Sequence, residues 1–377
     1  MTKLAFVIPS YNRPEHVKVA VASIIEQVED GMDVDVRIVE NAKDDAVRET
    51  VNGLAGGRVT VTSHPHGDYS DAFRAMFRAA PDADWVWTFG DDDRLEPGAL
   101  KFMLDLLSKQ ESLSFIHVAE KKRATPERGL HYSSTLLQLC SHFGWIEMTG
   151  FISGNLTRGS LLAKAADTPH WQTYAKSSFV QSCALLEALR DEPCAFLEVP
   201  VIDSQEQEQT GGTAQTWAEQ NIGARYLFIV DALECMFENG VLINRLPAKF
   251  FRYLNLTMWD RFIVHFVNDY FDKGGMWADE YWIRVQRFAQ FLSDETAAKD
   301  LLQDLEAAKG LMTVDGYLER HRTGLRNAIG EIGQRRSVSA YPFTFVEPKR
   351  QAQASPLVSS QAPATRASEA SPQGTQG

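Results

Sequence analysis

Apolar positions recur along the first hundred residues in two alternating rhythms. Leu4 to Pro9 (LAFVIP) is a short continuous apolar run, the mark of a buried strand. Val17, Val21, Ile24, Ile25 and Val28 then follow at three- and four-residue spacing, which is one face of a helix. Asn12 is placed to cap that helix, and Pro14 suits its first turn. Val34 to Val39 (VDVRIV) predicts a second strand. Val47, Val51 and Leu54 predict a second helix, ended by Gly56-Gly57. Val59 to Thr62 (VTVT) is a third strand. Ser70 or Asp71 starts a helix over Ala72 to Ala80, which Pro81 stops. Trp85 to Phe89 (WVWTF) is a fourth strand, and Pro97 opens a helix through Leu107.

Strand-helix alternation predicts an α/β fold: a mostly parallel, Rossmann-like sheet flanked by helices on both faces. Ligands of such sheets sit beyond the carboxyl ends of the strands. Four loops therefore become candidate chemistry: Ser10 to Pro14, Glu40 to Asp45, His64 to Asp71 and Gly90 to Glu96. Further along, Ser114 to Val118 and Ala195 to Val201 read as strands, and Leu161 to Ala166 and Phe179 to Leu189 as helices. From about Thr216 to Arg326 the pattern is mainly helical and rich in aromatic residues, a region expected to pack on the first domain. After Ser337, and above all after Pro348, Ser, Ala, Gln, Pro and Thr dominate. Such a tail has too little apolar surface to offset its ordering entropy and is expected to be disordered. The domain reading is thus 1–212, a helical region 213–336 and a tail 337–377.

Composition narrows the function classes. The chain has 377 residues, 44% of them hydrophobic and 23% charged, as in ordinary soluble proteins. Its formal net charge of -12 disfavours a protein that grips a nucleic-acid backbone, and fits a site holding a divalent cation against an anionic substrate. Cys140, Cys183, Cys194 and Cys235 show no CxxC spacing, so reduced core cysteines are expected rather than a zinc site. Met1 to Ser10 enters a strand pattern at once, without the features of a signal peptide. No apolar run approaches ~20 residues, so no transmembrane segment is expected. The expected location is cytoplasmic, with peripheral membrane contact left open. The NxT sequences at Asn155 and Asn255 then have no bearing on N-glycosylation. There is no GxxxxGK[ST], no GxGxxG after the first strand, no HExxH and no GxSxG.

The sharpest chemical feature is Trp85 to Leu100, WVWTFGDDDRLEPGAL. Asp91, Asp92 and Asp93 follow directly on an apolar strand and precede a helix. Neighbouring carboxylates at ~6 Å repel by ~3 kcal/mol at an effective dielectric near 20. A surface turn screens that repulsion with water, whereas the end of a buried strand calls for a cation. Mg²⁺ or Mn²⁺ takes oxygen ligands and is commonly held by one or two carboxylates plus substrate phosphates. A diphosphate leaving group needs such a counter-ion. The second feature is Phe6 to Val17, FVIPSYNRPEHV, where the strand ends and backbone amides at a helix start can face a phosphate.

Together, VIPSYNRP on the first strand, an acidic residue after the second and DDDRLEPGAL some eighty residues later resemble family 2 glycosyltransferases. The resemblance covers residues 3 to 110 well and 145 to 205 loosely. It implies the GT-A fold, a nucleotide-sugar donor, use of a divalent metal (Mn²⁺ or Mg²⁺) and transfer that typically inverts the anomeric centre. Carried over by position, Pro9 and Tyr11 line the nucleotide pocket. Glu40 with Asn41 stands where the family has an acidic residue reading the base. Arg74 stands where an Arg on the helix before the fourth strand meets the diphosphate. Asp92 is the expected direct metal ligand, with Asp93 as second ligand or as ligand after a one-residue slip, and Asp91 serves the ribose or the metal's waters. One departure is marked. The family draws its general base from a Glu-Asp pair opening a later helix, and here Gln181 sits near the expected Asp. Glutamine cannot accept the proton. Glu147, Glu187 and Asp203 are the alternative bases. Phe151 to Arg158 fits an acceptor-side strand and turn, and Asp203 to Gly212 a loop closing over the donor.

The reading is a metal-dependent transferase moving a sugar, UDP-linked by expectation, to a glycan, lipid-linked or protein acceptor. Alternatives stay open: the same donor chemistry with a nucleic-acid base as acceptor, a non-catalytic sugar-nucleotide or carbohydrate binder that has lost its base, and a helical interaction protein.

Overall fold

The computed structural model describes residues 1–41, 45–54, 57–64, 68–120, 131–177, 179–204 and 222–251, with further residues between 283 and 302. The chain opens as expected with strands alternating with helices: β1 (Leu4–Ser10), α1 (Pro14–Ile25), β2 (Val34–Glu40), α2 (Ala46–Val51), β3 (Val59–Ser63), α3 (Tyr69–Arg78) and β4 (Trp85–Thr88). β1 pairs in parallel with β2 and β4, and β2 with β3, so these four strands run in the order 3-2-1-4. Their carboxyl ends lie side by side, with Ser10 beside Glu40 and Glu40 beside Ser63.

Alternation along each strand sends side chains to two cores. Leu4, Phe6 and Ile8 pack with Val17, Ala20, Val21 and Ile24 of α1 on one face. Ala5 and Val7 pack with Phe73, Met76 and Phe77 of α3 on the other. All of these side chains are at most 3% exposed. Burying a residue of this kind stabilises by about 1.5–3 kcal/mol relative to leaving it in water. The continuous apolar run of β1 is therefore the signature of a strand covered on both faces.

Beyond β4 the sheet becomes mixed. The next elements are β5 (Asp93–Leu95), α4 (Ala99–Leu107), β6 (Phe115–Glu120), β7 (His131–Thr135), α5 (Leu136–Phe143), α6 (Trp145–Thr149), a 3-10 turn (Ile152–Gly154), β8 (Asn155–Arg158), α7 (Gly159–Ala166), α8 (Trp171–Ala175), α9 (Val180–Leu189) and β9 (Pro193–Ser204). β8 lies antiparallel between β4 and β6, and β9 runs parallel to β6. The first half of β9 takes β7 on its other edge, and its end takes β5. α10 (Ile222–Glu238) and a 3-10 turn (Ala248–Phe251) follow. Ile229, Leu233, Met236, Phe250 and Phe251 join the same core as α3 and α9, and Phe250 stacks on Trp145 at 5.5 Å. The described part of the helical region thus packs on the sheet domain, as its aromatic pattern predicts. The proposed boundary at 212, the far end of the Asp203 to Gly212 loop, the aromatic stretch 252–282 and the tail lie outside the described residues. Cys140, Cys183 and Cys194 are buried, and none of the four cysteines is in a disulfide. No described helix is long and apolar enough to cross a membrane.

Local details differ from expectation in three places. Asn12 does not cap α1. It takes a left-handed conformation (φ 54°), which asparagine tolerates, and the tight turn leaves Arg13 as the cap position without a capping side chain. α3 starts earlier than Ser70 or Asp71, because Asp68 accepts bonds from the backbone N–H groups of Ser70 and Asp71. The Gly90 to Glu96 loop contains β5, recruited by the end of β9.

Candidate active site

The acidic turn is held at both ends by the sheet. Before it, the Phe89 N–H donates to Val7 O at 2.9 Å, continuing the β1–β4 ladder. After it, Asp93 pairs with Ser204, and Arg94 with Asp203. The three carboxylates are therefore fixed by long-range pairing rather than left on a solvated loop. Gly90 is required in this turn. A Cβ there would lie 2.8 Å from Asp93 Oδ2 and 3.1 Å from both Asp92 Oδ1 and Ser153 Oγ.

Ser153 completes the cradle. Its Oγ donates to the Asp93 carboxylate and accepts the Gly90 N–H at 2.6 Å. The serine is itself anchored, because Trp87 Nε1 donates to Ser153 O at 2.6 Å and Thr88 Oγ1 to Ile152 O at 2.8 Å. The Phe151 to Arg158 segment therefore does form a turn and strand at the site, in contact with the acidic motif. Nothing in the serine's sequence surroundings marks it; the link is made by β8 folding back on β4.

Arg13 reaches the turn from the start of α1. Its Nη1 lies 2.7 Å from Asp91 Oδ1 and its Nη2 3.3 Å from Asp92 Oδ2. The Asp91 side chain is 10% exposed and that of Asp92 28%. Burial pushes the Asp91 carboxyl up to about 7; Arg13 opposes the rise, while Asp92, Asp93 and Glu40 add to it. Asp92, Asp93 and Glu40 thus surround a buried acid that Arg13 helps to hold charged. Arg13 lies inside the SYNRP run, but its role was not visible there, since the strand-helix turn alone does not say where its side chain goes.

The structure brings most of the expected residues to this end of the sheet. Pro9 is in the last part of β1, and Tyr11 follows it with 49% exposure, leaving its ring open to a ligand. Glu40, 1% exposed, closes β2 beside Ser10, and the Asn41 N–H donates to Ser10 O at 3.0 Å. Arg74 is used differently. Its Nε donates to Ala166 O at 2.9 Å and its guanidinium lies 5.6 Å from the Trp171 ring centre, so it clamps α3 to α7 and α8. Among the alternative bases, Glu187 bonds His170 Nδ1 at 3.0 Å and the Tyr174 hydroxyl at 2.6 Å within the α8–α9 layer. Asp203 lies opposite Arg94, one position along from the pair holding Asp93 and so on the other face of the ribbon. Glu147 is half-buried on α6, a helix that packs against the Ser153 turn. Gln181 is 4% exposed on α9.

The donor set fits a hard divalent cation in part. Its groups are carboxylate oxygens, and the Arg13 guanidinium already stands between two of them as a cation. Among the described residues, no three His, Cys, Asp or Glu side chains converge as a complete metal site. A divalent cation held here would take one or two carboxylates from the protein and its remaining ligands from phosphate and water, the usual habit of Mg²⁺ and Mn²⁺ at nucleotide sites.

The central mixed sheet flanked by helices matches the GT-A fold of solved glycosyltransferase structures. Residues 5–165 match the model of glycosyl transferase family 2. The fold is similar to that of S. aureus TarS residues 1–349, at TM-score 0.51 and 13% identity over 89% of this chain and 91% of that one. The same TarS fragment in complex with UDP gives TM-score 0.53 at 12% identity, over 89% and 92%. No match is found among curated proteins.

Proposed function

We propose that the chain is a metal-dependent glycosyltransferase that moves a sugar from a UDP-linked donor to a hydroxyl acceptor on a glycan, glycolipid or protein. The observation that carries this reading is the turn Gly90 to Asp93, clamped between β4 and β5 with the buried Asp91 among acidic neighbours, beside Glu40 and the exposed Tyr11. The presence of UDP in one TarS structure supports the choice of base. Tyr11 would stack on the base and Glu40 would accept its N–H. Asp92, the more exposed of the paired carboxylates, would hold Mn²⁺ or Mg²⁺, and Asp93, oriented by Ser153, would bond the metal's waters. When bound, the metal neutralises charge building on the leaving diphosphate.

In the transfer step the acceptor oxygen bonds the anomeric carbon while the bond from that carbon to the diphosphate oxygen breaks. The electron pair leaves with the diphosphate and the acceptor proton goes to a base. Glu147, on the helix beside the Ser153 turn, is the base this reading favours. Glu147→Gln is expected to lower kcat about 10²-fold with little change in KM; unchanged kcat would exclude it. A second reading, a binder without transfer, is favoured by Gln181 standing where a carboxylate is expected.

Thermal stabilisation by UDP, GDP, CMP and dTDP, each with Mn²⁺ and with EDTA, tests the donor half. Ligand binding to the native state raises stability by RT ln(1 + [L]/Kd). The expected result is a shift with UDP that EDTA removes. A shift with another nucleotide reassigns the base, and a shift indifferent to EDTA removes the metal.

A further inference from the structure

Arg13 ties up the carboxylates that the proposed metal needs. Its two terminal nitrogens bond Asp91 at 2.7 Å and Asp92 at 3.3 Å, while Asp93 is occupied by the Ser153 hydroxyl. Charge-assisted bonds of this partly buried kind are stronger than neutral ones. A divalent cation arriving alone must displace the guanidinium from its partners. It then meets an incomplete ligand shell, because no third carboxylate, His or Cys converges on the position among the described residues. A cation arriving with a nucleoside diphosphate meets neither obstacle. The phosphates supply the missing oxygens, and they offer the released guanidinium's planar fork a pair of anionic oxygens to bond.

We propose that Arg13 is a positioning residue that makes metal binding conditional on the nucleotide: it holds Asp91 and Asp92 in the metal-free protein and passes to the diphosphate when metal and nucleotide enter together. The inference rests on the metal-dependent reading above.

The test is Mn²⁺ alone, followed by electron paramagnetic resonance on the full chain, in wild type, Arg13→Gln, Arg13→Lys and the double variant Arg13→Gln with Asp92→Asn. Arg13 caps α1 without a side-chain bond to the helix, so the helix start does not depend on it. Wild type is expected to leave nearly all Mn²⁺ free. Arg13→Gln is expected to bind one Mn²⁺ at least about tenfold more tightly, the loss of one charge-assisted pair. Arg13→Lys keeps a cation in place and is expected to stay near wild type, and the double variant to lose the gained site. Tight stoichiometric Mn²⁺ binding by wild type without nucleotide overturns the proposal, and that measurement needs no variant to fold. If EDTA-sensitive stabilisation by a nucleotide is present but Arg13→Gln gains no Mn²⁺ affinity, the gate fails and the transferase reading stands. If no nucleotide gives EDTA-sensitive stabilisation and Arg13→Gln binds no Mn²⁺, both fall.

Discussion

Strands β1 and β4 carry a cluster of cations and carboxylates at each end, and the two clusters behave in opposite ways. At the amino ends Lys3 bonds Asp82, and Arg37 bonds Asp82 at 3.0 Å and Asp35 at 2.8 Å. The Asp82 side chain is 56% exposed. Hydrogen bonds from Arg37 and Lys3 hold its carboxyl well below the ordinary range. At the carboxyl ends Arg13 faces Asp91 and Asp92, with Asp93 and Glu40 close by, and the buried Asp91 is pushed up to about 7. Aspartates meet an arginine at both ends, so the difference lies mainly in burial. The first cluster is open to water and carries two cations. The second holds a carboxylate out of water among acidic neighbours, where a cation or a proton stabilises it. Scaffold and site are thus distinguished by how far each carboxylate is buried, at opposite ends of the same two strands.

The largest expected effect comes from removing the carboxylate assigned to the metal. Asp92→Ala is expected to lower transfer by about 10²–10³-fold or more and to abolish EDTA-sensitive nucleotide stabilisation, with the melting temperature little changed. Full activity in this variant would make the carboxyl-end cluster as structural as the amino-end one. Ser153→Ala comes next. It leaves the Gly90 N–H and the buried Asp93 carboxylate without their hydroxyl partner, at a cost of about 1–3 kcal/mol in stability. Transfer should fall about tenfold as Asp93 loses its orientation. A stability loss with unchanged kcat would show that Asp93 only braces the turn.

The first four strands, their helices and the acidic turn were legible because each is a local pattern. Apolar runs of β1 and β4 mark burial on both faces, and the DDD run sits on the rule that sites follow strand ends. Arg13 and Ser153 were not legible as site residues for the same physical reason. Arg13 acts through a side chain crossing from β1 to β4, a separation of 78 residues, and Ser153 through a turn 60 residues beyond Asp93. β7 was missed because HYSST has no apolar alternation; it pairs along the edge of β9. Arg74 shows the same limit: its place on α3 was legible, but not that Ala166 and Trp171 offer the guanidinium a bond and a ring within the helix layer.

The smallest effect is expected at the amino-end cluster, and it sharpens the contrast most cleanly. Asp82→Asn removes a carboxylate shared by Lys3 and Arg37. Because that carboxylate is well exposed, the loss should stay under about 1 kcal/mol, with a drop of at most a few degrees in melting temperature. The sign of its pH dependence follows from the depressed carboxyl. A group whose folded value lies below its unfolded one contributes its full stability above the unfolded value and loses it as pH falls towards the folded one. The melting difference between wild type and Asp82→Asn should therefore be constant from pH 6 to 8 and shrink below about pH 4, the range where an unfolded aspartate takes its proton. It should also shrink as salt is raised, since exposed pairs are screened. Mn²⁺ and nucleotide binding should be untouched. A change in either would mean that the two ends of β1 and β4 are coupled, and that the amino-end pairs set the position of the strands carrying the acidic turn.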